Sequence, residues 1–210
     1  MNATPSQIRI LVVDDHPLLR QGIARLVADQ SDMSLVAEAS NGREAILQFR
    51  AHRPDVTLMD LQMPEMNGLD AIVAIRGEFP EARVIMLTTY DGDVQVLRAL
   101  KAGARAYLLK NLLRKELLET IRAVHAGKKT LSPEVSYQLA EHATDDALTP
   151  AEIAVLRLIA AGNANKHIAD QLSITEETVK GRVKNILSKL GANDRPHAAM
   201  IGLKRGIIEF

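Results

Sequence analysis

The chain has 210 residues, 47% hydrophobic and 25% charged, a composition typical of globular proteins with enough apolar side chains for two cores. It contains no cysteine, which excludes disulfides, thiolate metal sites and a cysteine nucleophile. No apolar run reaches the roughly 18 residues of a membrane span and no signal segment opens the sequence, so we expect a cytoplasmic protein without a membrane partner.

Residues 7–126 alternate short apolar runs with longer segments of helical period, which is the pattern of successive βα units. The predicted strands cover residues 8–13, 35–39, 56–59, 84–88 and 106–109, and the helices that follow them cover 18–28, 43–50, 68–79, 94–102 and 115–126. Each strand is almost continuously apolar, as expected when helices cover both faces of a sheet. We therefore predict an α/β fold with a doubly wound, flavodoxin-like, five-stranded parallel sheet.

Residues 127–145 lose this pattern and predict a linker, with room for one helix over residues 134–142. Residues 146–210 show no strand pattern and predict a small all-α domain of four short helices. Thr149 should cap the first of them, because Pro150 stands at the first helical position and Glu152 at the capping-box position. Breaks between the helices are expected at Gly162 and at residues 173–175 and 191–194.

Three acidic residues follow strands of the predicted sheet: Asp14 and Asp15 come after the first strand, and Asp60 after the third. Because the first and third strands of a doubly wound sheet are neighbours, the three carboxylates should converge at its carboxyl edge. Mg²⁺ would relieve their repulsion, with the backbone carbonyl of Gln62 as a further oxygen ligand. The ordinary alternative is that such acids only cap helices or form turns.

Two further polar residues lie at the same edge of the sheet. Thr88 stands at the end of the fourth strand and Lys110 at the end of the fifth. A hydroxyl and an ammonium are the donor and the cation that would stabilise a phosphoryl group on Asp60. A lysine at a strand end is usually a solvated surface charge, but five suitable residues at four strand ends are hard to attribute to chance. The sequence therefore predicts that Asp60 accepts a phosphoryl group.

The formal net charge is zero, yet the basic residues are segregated: residues 178–205 contain seven and only one acid, Asp194. Residues 176–190 predict the longest helix of the C-terminal domain, preceded by a short helix and a tight turn. This is the arrangement of a helix-turn-helix, whose second helix enters the major groove of double-stranded DNA. The alternative is a helical bundle with an ordinary solvated basic face. The side chains predicted on or near the solvent side are Lys180, Arg182, Lys184 and Asn185.

Residues 7–126 resemble the receiver domain of bacterial response regulators, through the motifs Val-Asp14-Asp15-His, Leu-Met-Asp60-Leu-Gln-Met-Pro64-x-x-Asn-Gly68, Leu-Thr88-Thr and Tyr107-Leu-Leu-Lys110. The resemblance implies that a histidine kinase or small phosphodonor phosphorylates Asp60. Asp14 and Asp15 would serve Mg²⁺, Lys110 would contact the phosphoryl group, and Thr88 and Tyr107 would form the switch pair. Many receivers follow the lysine with a cis proline, whereas Asn111 follows it here.

Residues 146–207 resemble the LuxR-type helix-turn-helix, through Leu148-Thr-Pro-Ala-Glu and Thr178-Val-Lys-x-x-Val-Lys-Asn among other motifs. A receiver joined to this domain defines the NarL/FixJ class, in which phosphorylation promotes dimerisation and the last helix, here over residues 195–205, often adds dimer contacts. The resemblance implies base-edge contacts by Lys180, Gly181 and Lys184, and phosphate contacts by Lys166, Thr178 and Lys189. Arg182 stands where the family often has histidine, and its longer cationic side chain would reach a phosphate or a guanine edge.

Two other functions fit parts of this pattern. A phosphohydrolase could use Asp60 as nucleophile, but that class usually has a second aspartate two residues on, where this chain has Gln62. A constitutive DNA-binding protein could keep the receiver only for dimerisation, but it would not need all five strand-end residues. We therefore predict a phosphorylation-dependent transcription regulator of a two-component system, and not an enzyme.

Overall fold

The computed structural model describes residues 7–89, 93–131, 136 and 147–208. The chain separates into two compact units, one built around a sheet and the other from the C-terminal helices. This confirms the predicted order of an α/β domain followed by an all-α domain. Of the predicted linker helix over residues 134–142, only Ser136 belongs to the described residues.

The first unit alternates strands and helices in chain order. Its elements are β1 (Ile8–Val13), α1 (Pro17–Ala28), β2 (Met33–Ala39), α2 (Gly42–His52), β3 (Val56–Asp60), α3 (Gly68–Glu78), β4 (Val84–Thr88), α4 (Asp93–Ala102), β5 (Ala106–Leu109), a 3₁₀ helix (Lys110–Leu112), α5 (Leu113–His125) and β6 (Thr130–Leu131). Every predicted strand and helix of this unit is present, and the ends differ from the prediction by at most two residues.

The sheet has the strand order β2-β1-β3-β4-β5-β6, and its paired strands are parallel. The first and third strands are neighbours, as predicted. The prediction of five strands was short by one, because β6 has only two residues and lies where a linker was expected. Thr130 and Leu131 pair with Ala106 and Tyr107, so this part of the chain extends the sheet. Two residues are too few to show a strand period in the sequence.

The central strands are buried on both faces, which explains why their sequences are almost continuously apolar. All residues of β3, β4 and β5 are buried. On one face of the sheet, side chains such as Val12, Leu58 and Ile85 pack against α1 and α5. These helices contribute Ile23 and Ile121 to the same core. The sheet is thereby a rigid support that fixes where the strand ends, and the polar residues on them, are placed.

The second unit contains α6 (Pro150–Ala160), α7 (Asn165–Leu172), α8 (Glu176–Leu190) and α9 (Arg195–Lys204), which confirms the four predicted helices. The predicted capping box is present: Glu152 N donates to Thr149 Oγ1, and Thr149 N donates to Glu152 Oε2 at 2.8 Å. The helices break at Gly162, Ser173 and Gly191, all with positive φ. The core of this unit includes Val155, Leu156, Ile159, Ile168, Val179, Ile186 and Ala198.

Candidate phosphorylation site and DNA-binding surface

Asp14, Asp60 and Lys110 meet at the carboxyl edge of the sheet. Asp14 is 0% and Asp60 4% exposed, because each lies at the end of a buried strand, β1 or β3. Lys110 follows β5, and its Nζ lies 2.8 Å from Asp14 Oδ2 and 2.8 Å from Asp60 Oδ2. One ammonium therefore bridges two buried carboxylates, as the predicted convergence of the strand ends requires.

Asp15 and His16 complete the acidic pocket, the name we use for Asp14, Asp15, His16 and Asp60. His16 Nδ1 lies 2.7 Å from Asp15 Oδ1 and 3.3 Å from Asp14 Oδ1. One ligand atom from each of the four residues lies within 4.8 Å of those of the other three. The sequence prediction missed His16, although its position directly after two acids was a usable signal.

Helix capping does not account for these acids. The N-cap residue of α1 is His16, and α1 has no capping hydrogen bond from that side chain. Asp14 Oδ1 does accept the His16 backbone N–H at 2.8 Å, so Asp14 takes part in the local turn. Its other oxygen, however, pairs with Lys110 from the far side of the sheet edge. The turn role is therefore additional to the pocket and does not replace it.

The pocket holds excess negative charge. Burial raises the pKa of Asp60, an effect that the ion pair with Lys110 reduces and the nearby Asp14 and Asp15 increase. Burial alone would lower the pKa of Lys110, but its pairs with Asp14 and Asp60 outweigh this and raise it. Lys110 thus stays protonated at neutral pH, and one ammonium faces three carboxylates. Such a carboxylate-rich pocket is compatible with Mg²⁺, which prefers oxygen ligands.

Thr88 and Tyr107, the predicted switch pair, are both 1% exposed. Thr88 is the last residue of β4 and stands in register with Leu109, the residue before Lys110. The Tyr107 ring is buried in β5. The roles of both residues as a switch remain predictions.

Gln62 and Asn111 flank the site. Gln62 is exposed two residues beyond Asp60, and metal ligation by its carbonyl remains a prediction. No cis peptide bond occurs among the described residues, so the Lys110–Asn111 bond is trans. The chain continues from Lys110 through the 3₁₀ helix into α5. Asn111 therefore does not reproduce the cis turn that a proline at this position can form.

Gly68 starts α3 directly against the end of β3, the strand that carries Asp60. A Cβ added to Gly68 would lie 2.1 Å from the backbone oxygen of Asp60 and 3.0 Å from Met86 Cε. We expect Gly68→Ala to displace the start of α3, to lower the free energy of unfolding by about 1–3 kcal/mol and to slow phosphorylation. Denaturant titration and phosphoryl labelling measure the two effects.

Gly77→Ala is the matched control, since Gly77 lies in the same helix and an added Cβ there meets nothing within 4 Å. It should raise stability by about 0.5–1 kcal/mol and leave labelling unchanged. Equal stability for the two alanine variants would contradict a steric role of Gly68.

The DNA-binding surface predicted on α8 is largely solvent-facing. Val179 and Ile186 of α8 are buried. The exposed residues of the helix include Thr178, Lys180, Gly181, Lys184 and Asn185. Lys166, on α7, is exposed as well. Arg182 is only half-exposed, because it stands three residues after Val179 and so lies beside the buried stripe. Thr178 N donates to Thr175 Oγ1 at 3.2 Å, which fixes the first turn of α8.

Lys189, predicted as a phosphate contact, has a partner inside its own domain. Its Nζ lies 2.9 Å from Glu152 Oε2 and 3.3 Å from the backbone oxygen of Ala147. The Glu152 carboxylate is 6% and the Lys189 side chain 25% exposed. Lys189 therefore ties α8 to the start of α6, and the phosphate contact remains a prediction that requires this pair to open.

The Glu152–Lys189 pair makes the helical domain acid-sensitive. Burial alone would raise the pKa of Glu152, but hydrogen bonds from Thr149 and the pair with Lys189 hold it below the ordinary 4.5. Its stabilisation is present above pH 4.5 and is lost as the pH falls through the lower folded-state pKa. Lys189→Met removes the ammonium, so we expect a loss of about 1–3 kcal/mol and acid unfolding that begins at a higher pH. Hydrogen exchange of α6 and α8 peptides in the full chain measures both.

Lys184→Met on the exposed side of α8 serves as the control for that experiment and should leave hydrogen exchange unchanged. If both variants exchange like the original chain across the pH range, the ion pair does not stabilise the domain.

Among the described residues, no helix is both long and apolar enough to cross a membrane.

The chain matches known families along most of its length. A sequence model described as "Response regulator receiver domain" matches residues 10–122, and one described as "Bacterial regulatory proteins, luxR family" matches residues 146–201.

Individual relatives agree with these family matches. The chain is 38% identical to the response regulator protein VraR of Staphylococcus aureus over 207 residues, which cover 96% of this chain and 99% of VraR. Its fold is similar to that of RcsB from Salmonella enterica serovar Typhimurium, solved bound to a promoter in the presence of the phosphomimetic BeF₃⁻ (TM-score 0.74, 26% identity, 93% and 98% of the two chains).

A second similar structure contains two RcsB dimers bound to two parallel DNAs (TM-score 0.72, 25% identity, 95% and 99% of the two chains). Both halves of the chain thus match one combination of domains. The chain belongs to the two-component response regulators that join a receiver to a LuxR-type helix-turn-helix domain, and it is a phosphorylation-dependent transcription regulator.

Proposed function

We propose that Asp60 is the phospho-acceptor of this regulator and that a partner histidine kinase supplies the phosphoryl group. The observation that carries this assignment is the Lys110 ammonium, which lies 2.8 Å from a buried Asp60 oxygen and 2.8 Å from Asp14. A fixed cation beside a buried carboxylate is poised for the negative charge that arrives with a phosphoryl group. We place the end of the receiver after β6 and not at residue 126, because Thr130 and Leu131 pair with β5.

The reaction uses one oxygen of Asp60 as nucleophile. Lys110 pairs with Oδ2, so we assign Oδ1 to attack the phosphorus of a phosphohistidine or of acetyl phosphate, with cleavage of the P–N or P–O bond to the donor. Lys110 then pairs with a phosphoryl oxygen, and the Thr88 hydroxyl donates to another. Tyr107 is buried in β5, and we assign the difference between the two states of the domain to movement of the Thr88 hydroxyl towards the phosphoryl group, with the Tyr107 ring repacking behind it.

The acidic pocket fits a divalent cation, because three carboxylates face one ammonium and two of the three are almost wholly buried. Asp14, Asp15, Asp60 and the backbone carbonyl of Gln62 would hold Mg²⁺ there. When bound, Mg²⁺ supplies charge neutralisation for the phosphoryl oxygens. Gln62 carries no carboxyl group that could act as a general acid on ester substrates, which supports regulation over phosphohydrolysis.

The second half of the proposal is that α8 reads promoter DNA as the recognition helix of a phosphorylated homodimer. Exposed Lys180, Gly181 and Lys184 face base edges, and Lys166 and Thr178 face phosphates. RcsB bound to a promoter with a phosphomimetic, and RcsB dimers on DNA, support this reading. We also propose that the protein works in the cytoplasm, because a regulator that carries a signal from a kinase to promoter DNA must have access to the DNA.

Labelling with radioactive acetyl phosphate tests the acceptor chemistry. We expect label on the full chain only when Mg²⁺ is present, and we expect hydroxylamine to release it, because an acyl phosphate is cleaved by that nucleophile. Label that resists hydroxylamine, or that appears equally with a chelator, would contradict an aspartyl phosphate at this pocket.

A further inference from the structure

His16 is the residue of the acidic pocket that the proposed phosphotransfer does not use. Its side chain is 70% exposed, so nothing forces it inward. Its Nδ1 nevertheless lies 2.7 Å from Asp15 Oδ1 and 3.3 Å from Asp14 Oδ1. The residue is the N-cap of α1, yet its side chain makes no capping hydrogen bond. Its ring is therefore directed at the carboxylates for a reason other than helix capping.

The spacing of these atoms suits a single metal ion. Ligand atoms about 2.1 Å from a six-coordinate ion lie about 3 Å apart when adjacent and about 4.2 Å apart when opposite. One ligand atom each from Asp14, Asp15, His16 and Asp60 lies within 4.8 Å of the others.

The backbone holds this arrangement in place. The His16 N–H donates to Asp14 Oδ1 at 2.8 Å, and Arg20, one turn into α1, donates from Nη1 to the Asp14 backbone oxygen at 2.6 Å. Pro17 follows at the first helical position with its restricted φ. His16 is thus anchored beside a fully buried carboxylate, and only its side-chain torsions have to adjust to meet an ion.

We infer that His16 Nδ1 is a direct ligand of the divalent cation in this pocket and that it shifts the preference of the site from Mg²⁺ towards ions that accept nitrogen, such as Co²⁺ and Ni²⁺. Mg²⁺ prefers oxygen ligands, whereas imidazole nitrogen suits the later first-row metals. The inference rests on the proposed metal site of the receiver and adds to it a ligand that the carboxylates alone do not supply.

Ligation requires a lone pair on Nδ1. A neutral imidazole carries its single proton on either nitrogen, so the metal-bound form keeps that proton on Nε2. The exposed ring exchanges protons with water, which makes this tautomer accessible. The contact between Nδ1 and Asp15 would then be replaced by bonds from both groups to the same ion.

Pulsed electron paramagnetic resonance with Mn²⁺ as the probe tests the ligand directly. On the full chain we expect nitrogen-14 modulation from a coordinated imidazole. In His16→Gln that modulation should vanish, although the glutamine amide can still donate to Asp15. His52→Gln, which changes a histidine of α2, should leave it unchanged. Bound Mn²⁺ without nitrogen modulation in the original chain would overturn the role of His16 while leaving a carboxylate metal site intact.

Calorimetric titration with Co²⁺ and with Mg²⁺ gives the second readout. We expect His16→Gln to lower Co²⁺ affinity by about tenfold or more and to change Mg²⁺ affinity much less. Equal changes for both ions would overturn the selectivity. If the original chain binds none of Mn²⁺, Co²⁺ and Mg²⁺, both the proposed metal site and the role of His16 are wrong. If it binds these ions but His16→Gln has no selective effect, only the role of His16 is wrong.

Discussion

Replacing Asp60 with asparagine should abolish phosphoryl labelling by acetyl phosphate and by any kinase. The amide has nearly the same shape but is not a nucleophile towards phosphorus, so the loss is complete and not partial. The fold should survive, because burial raises the pKa of Asp60, which means that ionisation of this carboxyl costs folded-state stability. A neutral asparagine removes that cost, and thermal unfolding should show an equal or higher midpoint at pH 7.

Asp70→Asn is the control for this variant. Asp70 is exposed in the first turn of α3, outside the acidic pocket. The Asp70→Asn chain should therefore be labelled on Asp60 to the same level as the original chain. Full labelling of the Asp60→Asn chain would move the acceptor to another residue, and a collapse of its stability would show that Asp60 is needed for folding and not for chemistry.

Removing Lys180 and Lys184 together should produce the largest loss of DNA binding from a surface change. Both side chains are exposed on α8, one helical turn apart. We expect the double alanine variant to lose about 1–3 kcal/mol for each base contact and to lose sequence preference with it. The slope of log affinity against log salt should change little, because the phosphate contacts assigned to Lys166 and Thr178 are left in place. Fluorescence anisotropy over a salt series measures both.

A double alanine change at Lys128 and Lys129 removes the same charge from exposed positions after α5 and serves as the control. Only a small, sequence-independent effect is expected there. Equal losses in the two variants would show that general charge, and not the α8 surface, carries the binding. Unchanged affinity in the α8 variant would place recognition elsewhere in the domain.

The sequence predicted the acidic pocket because the relevant information is topological. Once five parallel strands are recognised, residues at their carboxyl ends share one edge, so Asp14, Asp60 and Lys110 had to approach one another. What the pattern could not predict is how they pair. The bridging position of Lys110 between two Oδ2 atoms depends on side-chain torsions and on the register of β4 and β5.

The features that sequence reasoning missed depend on short elements or distant partners. Strand β6 is two residues long and has no detectable period. Lys189 looked like another cation of the recognition helix, but its partner Glu152 is 37 residues away and buried. Arg182 was predicted on or near the solvent side, and its spacing from Val179 puts it near that side but beside the core stripe. Motifs predicted which residues matter, and packing determined what each of them touches.

We propose that a phosphoryl group on Asp60 controls DNA binding at α8. Genome-wide capture of DNA on the full chain, with and without acetyl phosphate, tests it most directly when the Asp60→Asn chain is treated in the same way. We predict that phosphorylation increases recovery of a defined set of promoter fragments and that the asparagine variant shows no such increase. Recovery of the same fragments at the same level in all conditions would contradict the claim.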